Sequence, residues 1–268
     1  MQSRSRLTLG ALLIVVLSLA LRAWLLLARP LWFDELFTLW AARQPTRDLV
    51  ATLRVDSGPP AFYLLERPFA RLADRATAGD AWLRVPSFLA GLALLLAARA
   101  LPHGAPRALF VVLVSGSTLL NLYAAEARPY TLLAALLLAL FLLALRGEER
   151  ASRLAATAAV AALALYTHYL ALFGLAALLC LSAAARRWRS FAALLAGAAI
   201  FLPWAPVLRA QPAAAVAWIR EPLARTAAGM SLRFNPVNTF VIAVSNRFPC
   251  ACQKCWTRCS ALPANRDP

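Results

Sequence analysis

Long apolar runs alternate with short polar clusters along this chain. Residues 7–28, 85–101, 108–125, 129–145, 154–185 and 191–207 are near-continuous in leucine, alanine and other apolar residues. Most approach the roughly 20 residues a helix needs to cross a ~30 Å hydrocarbon core. None alternates with the period of two that marks a half-buried strand, so the pattern predicts helices. Within lipid, only helices and closed barrels satisfy their own backbone polar groups. The expected fold class is an all-α membrane protein, a polytopic helical bundle.

Charge then predicts the threading. Arg4 and Arg6 precede the first run, and Arg99, His103 and Arg107 mark the turn after the second. Arg146, Arg150 and Arg153 precede the run 154–185, and Arg186, Arg187 and Arg189 follow it. Arginines of short loops stay on the cytoplasmic side, which places the N-terminus inside. As one helix, 154–185 would be about 48 Å long, too long for a bilayer. With basic clusters at both ends it is expected to cross twice, reversing at Thr167-His168-Tyr169. The count is then about seven crossings. The first run is too long for a signal-peptide core and lacks a small-residue cleavage site, so it reads as a retained signal-anchor. Arg22, near its far end, is expected to snorkel outward.

That threading puts four polar clusters on the external side. They are Trp32-Phe33-Asp34-Glu35, Asp56-Ser57-Gly58-Pro59-Pro60, Glu126-Ala127-Arg128-Pro129-Tyr130 and Tyr166-Thr167-His168-Tyr169. Segment 29–84 is too long for a mere connector. Helical spacing within it predicts short interfacial helices over 37–43 and 61–72. Residues 1–209 thus form the membrane domain and 210–247 an external or interfacial segment, with 213–219 lying on the membrane surface. In the tail 248–268, Cys250, Cys252, Cys255 and Cys259 invite a zinc reading. The absence of histidine there, and of a recognisable knuckle, favours a disordered tail.

Composition narrows the class further. A chain of 268 residues with 62% hydrophobic content and a mean hydropathy of +0.66 is not an ordinary soluble domain. The net charge of +16 is almost wholly arginine, Lys254 being the sole lysine. A pI near 11.3 would suit nucleic acid, but the charge sits in turns between apolar runs. Anionic lipid head groups are the expected partner, and nucleic acid is not.

Within the clusters, Asp34 and Glu35 follow the first run closely. A carboxylate there can take a proton from a hydroxyl arriving from water; equally, Asp34 can cap a helix beginning near Leu36. Asp56 reads either as a second site carboxylate or as a turn former before a proline-initiated helix. Phe62 and Tyr63 add aromatic surface. Glu126 and Arg128 either pair with each other or mark a site, where Arg128 would grip a phosphate in bidentate fashion. Tyr166, His168 and Tyr169 read either as site groups or as an aromatic belt at a membrane boundary. Mixed carboxylates and one histidine define no metal site.

Taken together, these residues resemble the integral-membrane GT-C glycosyltransferases, specifically the bacterial protein mannosyltransferase and lipid A aminoarabinose transferase kin. The resemblance covers about residues 10–209. It rests on the Asp34-Glu35 pair, the stretch Asp56-Ser57-Gly58-Pro59-Pro60-Ala61-Phe62-Tyr63, the turn Glu126-Ala127-Arg128-Pro129-Tyr130 and the His168-Tyr169 turn. It implies transfer of a sugar from a polyprenyl-phosphate carrier to a lipid, glycan or protein acceptor at the outer face of the inner membrane. By resemblance Asp34 is the base of an inverting transfer, with Glu35 orienting neighbours or contacting acceptor. Asp56, Glu126, Arg128, Tyr130, His168 and Tyr169 then bind substrate, Arg128 and His168 serving the departing phosphate. No cofactor is required.

Members of that family usually continue into further spans and an external domain, so the chain is expected to be a shortened form. Two other functions follow from the same residues. One is a transporter or flippase for lipid-linked sugars; the other is a non-catalytic remnant.

Overall fold

The computed structural model of the protein describes residues 2–56, 58–75, 79–102, 104–145 and 150–211. Every element among them is helical. The surface segment expected over 213–219, the cysteine tail, Ser57 and His103 lie outside the described residues. In chain order the α-helices are α1 (Gln2–Ala28), α2 (Phe33–Arg43), α3 (Thr46–Leu53), α4 (Ala61–Ala73), α5 (Gly79–Leu96), α6 (Ala105–Gly116) and α7 (Thr118–Tyr123). They continue as α8 (Tyr130–Leu145), α9 (Ala151–Thr167), α10 (Ala171–Ala184), α11 (Trp188–Ile200) and α12 (Ala205–Ala210).

Three helical stretches are long and apolar enough to cross a membrane: Leu9–Ala28, Gly79–Ala100 and Trp188–Ala210. Four shorter apolar helices, α6, α8, α9 and α10, pack among them. Helix α1 has the surface pattern that a lipid solvent favours. Leu9, Leu12, Leu13, Val16, Leu17, Leu21 and Trp24 are exposed, whereas Ser18 and Arg22 are buried. A soluble amphipathic helix would do the reverse; polar residues turned inward toward neighbouring helices are the membrane pattern.

Helices α8, α9, α10 and α11 surround one apolar core, in which Leu140, Leu165 and Leu194 are fully enclosed. Small residues let the helices close in. A Cβ on Gly197 of α11 would stand 2.6 Å from the Ala158 carbonyl of α9, so only glycine permits that approach. On the other side α1 packs against α6 and α5, while α2 and α4 pack on each other and α4 on α5.

Several boundaries differ from those expected. The run 108–125 is not one helix: it breaks after Gly116, and the Ser117 hydroxyl accepts the Leu120 N–H at 3.3 Å to start α7. Helix α5 begins at Gly79, so Trp82 and Arg84 lie inside it. The run 154–185 does break, with α9 ending at Thr167 and α10 starting at Ala171. Phe62 and Tyr63 are buried, not surface aromatics.

Arg22 does not snorkel. It is 1% exposed, its Nε donates to Asn121 Oδ1 at 2.7 Å, and Ser18 donates to the same oxygen at 2.7 Å. Gly91 makes the room, since a Cβ there would lie 2.9 Å from Arg22 Nη1. An available amide and carbonyl inside the bundle outweigh the pull toward water.

Candidate functional site

Loops and helix ends meet at one end of the bundle, and a buried ion pair fixes them there. Arg84 enters from the first turns of α5 and is fully enclosed. Its Nε and Nη2 donate to Glu35 Oε1 and Oε2, each at 2.7 Å. Nη1 donates to the carbonyls of Leu26 (3.0 Å) and Arg29 (2.7 Å), and Nη2 to that of Pro30 (3.0 Å). All five guanidinium N–H donors are therefore used. The carbonyl of Leu26 is one that the end of α1 leaves without an intrahelical partner. The guanidinium satisfies it and adds positive charge at the negative end of the helix.

Glu35 is equally saturated. Beyond Arg84, Oε1 accepts the Ala127 N–H at 2.9 Å and Oε2 the Trp32 N–H at 3.3 Å. It is fully enclosed, with its lone pairs occupied. The acceptor contact expected of Glu35 thus has no open oxygen, whereas its orienting role has a geometry. Through Ala127, Glu35 holds the turn 124–129, which also receives Ser87 Oγ on the Arg128 carbonyl at 2.9 Å.

That turn presents Arg128. Its Nη2 lies 3.3 Å from Asp34 Oδ2 and donates to the Tyr130 hydroxyl at 3.3 Å. The guanidinium also stands over the Tyr130 ring, 5.5 Å from its centroid. Its Nε is buried without a partner among the described residues, so one edge of the fork stays unspent. Glu126 does not pair with its neighbour Arg128. It takes Arg29 Nη2 at 3.0 Å instead, and is itself buried.

Asp34 differs from Glu35 in every respect that matters for chemistry. It occupies the second position of α2, where Trp32 is the N-cap, so it is not the cap. Its side chain is 23% exposed, and Arg128 is its one ion-pair partner among the described residues. Burial raises its carboxyl above the usual aspartate range, Arg128 pulls it back, and the negative fields of Asp56 and Glu35 add to the rise. A carboxylate made more basic, yet still reachable, is suited to accepting a proton.

Asp56 and Tyr63 adjoin this pair electrostatically, and Tyr169 adjoins Asp56. Burial raises the Tyr63 phenol, with Asp56 as the next cause. Tyr169 accepts Trp204 Nε1–H at 3.0 Å, and burial likewise raises its phenol. The Tyr130 ring sits 5.3 Å from the His168 ring and 4.6 Å from Tyr123. His168 Nδ1 accepts the Leu170 N–H at 3.1 Å, which assigns the ring hydrogen to Nε2. Burial, and secondarily Arg128, lower its pKa to about 4, so it is a neutral donor at pH 7.

The structure thus gathers Asp34, Asp56, Arg128, Tyr130, His168 and Tyr169 at one end. Glu35 lies beneath them and Glu126 beside them. Among the described residues no group of three or more His, Cys, Asp or Glu could hold a metal ion. The sequence reading passed over Arg84, Arg29 and the inward position of Tyr63. A lone arginine abutting an apolar run, with no second basic residue beside it, was the available signal for Arg84. No protein-family description, no curated protein and no solved structure matches this chain.

Proposed function

We propose that the protein is an integral-membrane glycosyltransferase of the GT-C type, using a polyprenyl-phosphate-linked sugar. In this reading about seven helices cross the membrane, the N-terminus is cytoplasmic and the site faces the external side. The observation that carries it is the partly buried Asp34–Arg128 pair, 3.3 Å apart, which sets a general base beside a guanidinium.

Asp34 accepts the proton of the acceptor hydroxyl as that oxygen attacks the anomeric carbon. The bond from that carbon to the phosphate oxygen breaks, and its electron pair leaves with the polyprenyl phosphate. Arg128 receives the departing charge, with His168 Nε2–H as a further donor. Glu35 and Arg84 keep the two reacting sides in register. The test is transfer in proteoliposomes supplied with polyprenyl-phosphate sugars. Asp34→Asn should abolish product while membrane insertion is unchanged; full activity in that variant removes Asp34 from the mechanism.

A second reading, transport of lipid-linked sugars, draws on the enclosed Arg22 within α1, since ionisable groups inside membrane bundles often line substrate paths. Carrier translocation across vesicles without sugar transfer would favour it.

A further inference from the structure

Away from Asp34, helices α2, α3 and α4 line a concavity of about 380 Å³. Its walls carry Arg43 at the end of α2, Gln44 and Thr46 at the start of α3, and Arg67 and Arg71 one turn apart on α4. Counting along α2 from Asp34 to Arg43, it lies about 14 Å from the candidate base.

The groups facing this space are overwhelmingly donors. Arg67 braces the wall, with Nη1 donating to Thr46 Oγ1 at 2.9 Å and Nη2 to the Gln44 carbonyl at 2.8 Å. Its Nε is buried with no partner among the described residues. Helix α3 opens on Pro45 with no side-chain cap, so its first N–H groups lie at the same wall, with Asp48 the one acid of that first turn. Arg71 is exposed and makes no ion pair among the described residues. Arg43 alone is neutralised, by Asp74. Three guanidinium groups line this space, against Asp74 on Arg43 and Asp48 in the first turn of α3, so among the described residues the charge around it stays positive.

We infer that this concavity between α2, α3 and α4 is a binding site for a phosphate group. Guanidinium forks and uncapped helix N–H groups are the two chemistries that hold phosphate oxygens best. The phosphate has two sources. The exposed Leu64, Leu65 and Leu72 on α4 set the cavity beside apolar surface that suits a lipid interface, so a phospholipid head group is one source. Free phosphate is the other. The inference does not depend on the transferase reading.

The test uses the full chain in a neutral maltoside detergent. Inorganic phosphate and short-chain phosphatidylglycerol are titrated separately by calorimetry, with short-chain phosphatidylcholine as the zwitterionic control. Arg71→Gln, which removes an unpaired exposed side chain, should weaken binding at least about fivefold with thermal stability unchanged. Asp74→Asn, which releases Arg43, should strengthen it at least about threefold. The second change has the opposite sign, so general damage cannot imitate it. Saturable binding of phosphate assigns a soluble source, and binding of phosphatidylglycerol alone assigns the lipid. Absence of binding by both, or equal affinity in wild type and both variants, overturns the site.

Discussion

Asp34 and Glu35 are adjacent in sequence, yet the fold treats them as opposites. Glu35 is sealed in the protein and meets four donors, two from Arg84 and two from backbone N–H groups. Asp34 sits at the rim with one arginine at 3.3 Å and part of its surface open. A carboxylate with every lone pair engaged organises structure, because moving it leaves buried charges uncompensated. A carboxylate with spare capacity and an unfavourable environment is suited to chemistry, because its proton affinity is raised while part of its surface is open. The doublet therefore separates into an anchor and, in the proposed transfer, a reagent.

The largest effect should come from the anchor's partner. Arg84→Met leaves Glu35 charged without a counter-ion and three carbonyls unsatisfied. It should destabilise the protein by about 3–5 kcal/mol, read as loss of monodisperse protein on extraction in detergent. Next comes Asp34→Asn, with transfer down about 10²–10⁴-fold and thermal stability unchanged. In the wild type, transfer should decline in acid with a limb above the usual aspartate range, because the Asp34 carboxyl is raised by burial.

A third carboxyl sharpens the comparison. Glu66 of α4 is fully enclosed and neither oxygen has a partner among the described residues. Burial, with Glu35 adding repulsion, lifts it to about 9. It is thus the anchor without its arginine. A carboxyl whose folded pKa exceeds its unfolded value contributes stability that is complete below the unfolded value and lost as pH rises through the folded one. The melting temperature should therefore fall between about pH 5 and pH 9, and Glu66→Gln should flatten that slope. A wild-type slope that survives in Glu66→Gln would show that other groups set it. The smallest effect belongs to His168. Neutral at pH 7, it should give transfer no limb near 6.5, and His168→Gln should reduce the rate on the order of tenfold.

Much of this arrangement was legible in the chain. Apolar runs and arginine turns are dictated by the lipid solvent, so they predict helices and the reversal region before α10 from composition alone. The four polar clusters could be grouped because each interrupts or borders an apolar run. What the pattern could not reveal was partnership. Nothing local distinguishes Asp34 from Glu35, since the distinction is made by Arg84, 49 positions from Glu35. Arg22 misled for the same reason: its position near a helix end favoured snorkelling, and only the distant Asn121 and Gly91 make burial affordable. The break at Gly116-Ser117 falls in the small polar run Ser115-Gly116-Ser117-Thr118, whose signal is outweighed by the leucines and valines on either side.

The division of labour within the doublet is most directly tested by thermal unfolding of Asp34→Asn and Glu35→Gln side by side in the same detergent. The account predicts that Glu35→Gln lowers the melting temperature by at least about 6 °C, whereas Asp34→Asn stays within about 2 °C of the wild type. Equal losses, or a greater loss for Asp34→Asn, would contradict it.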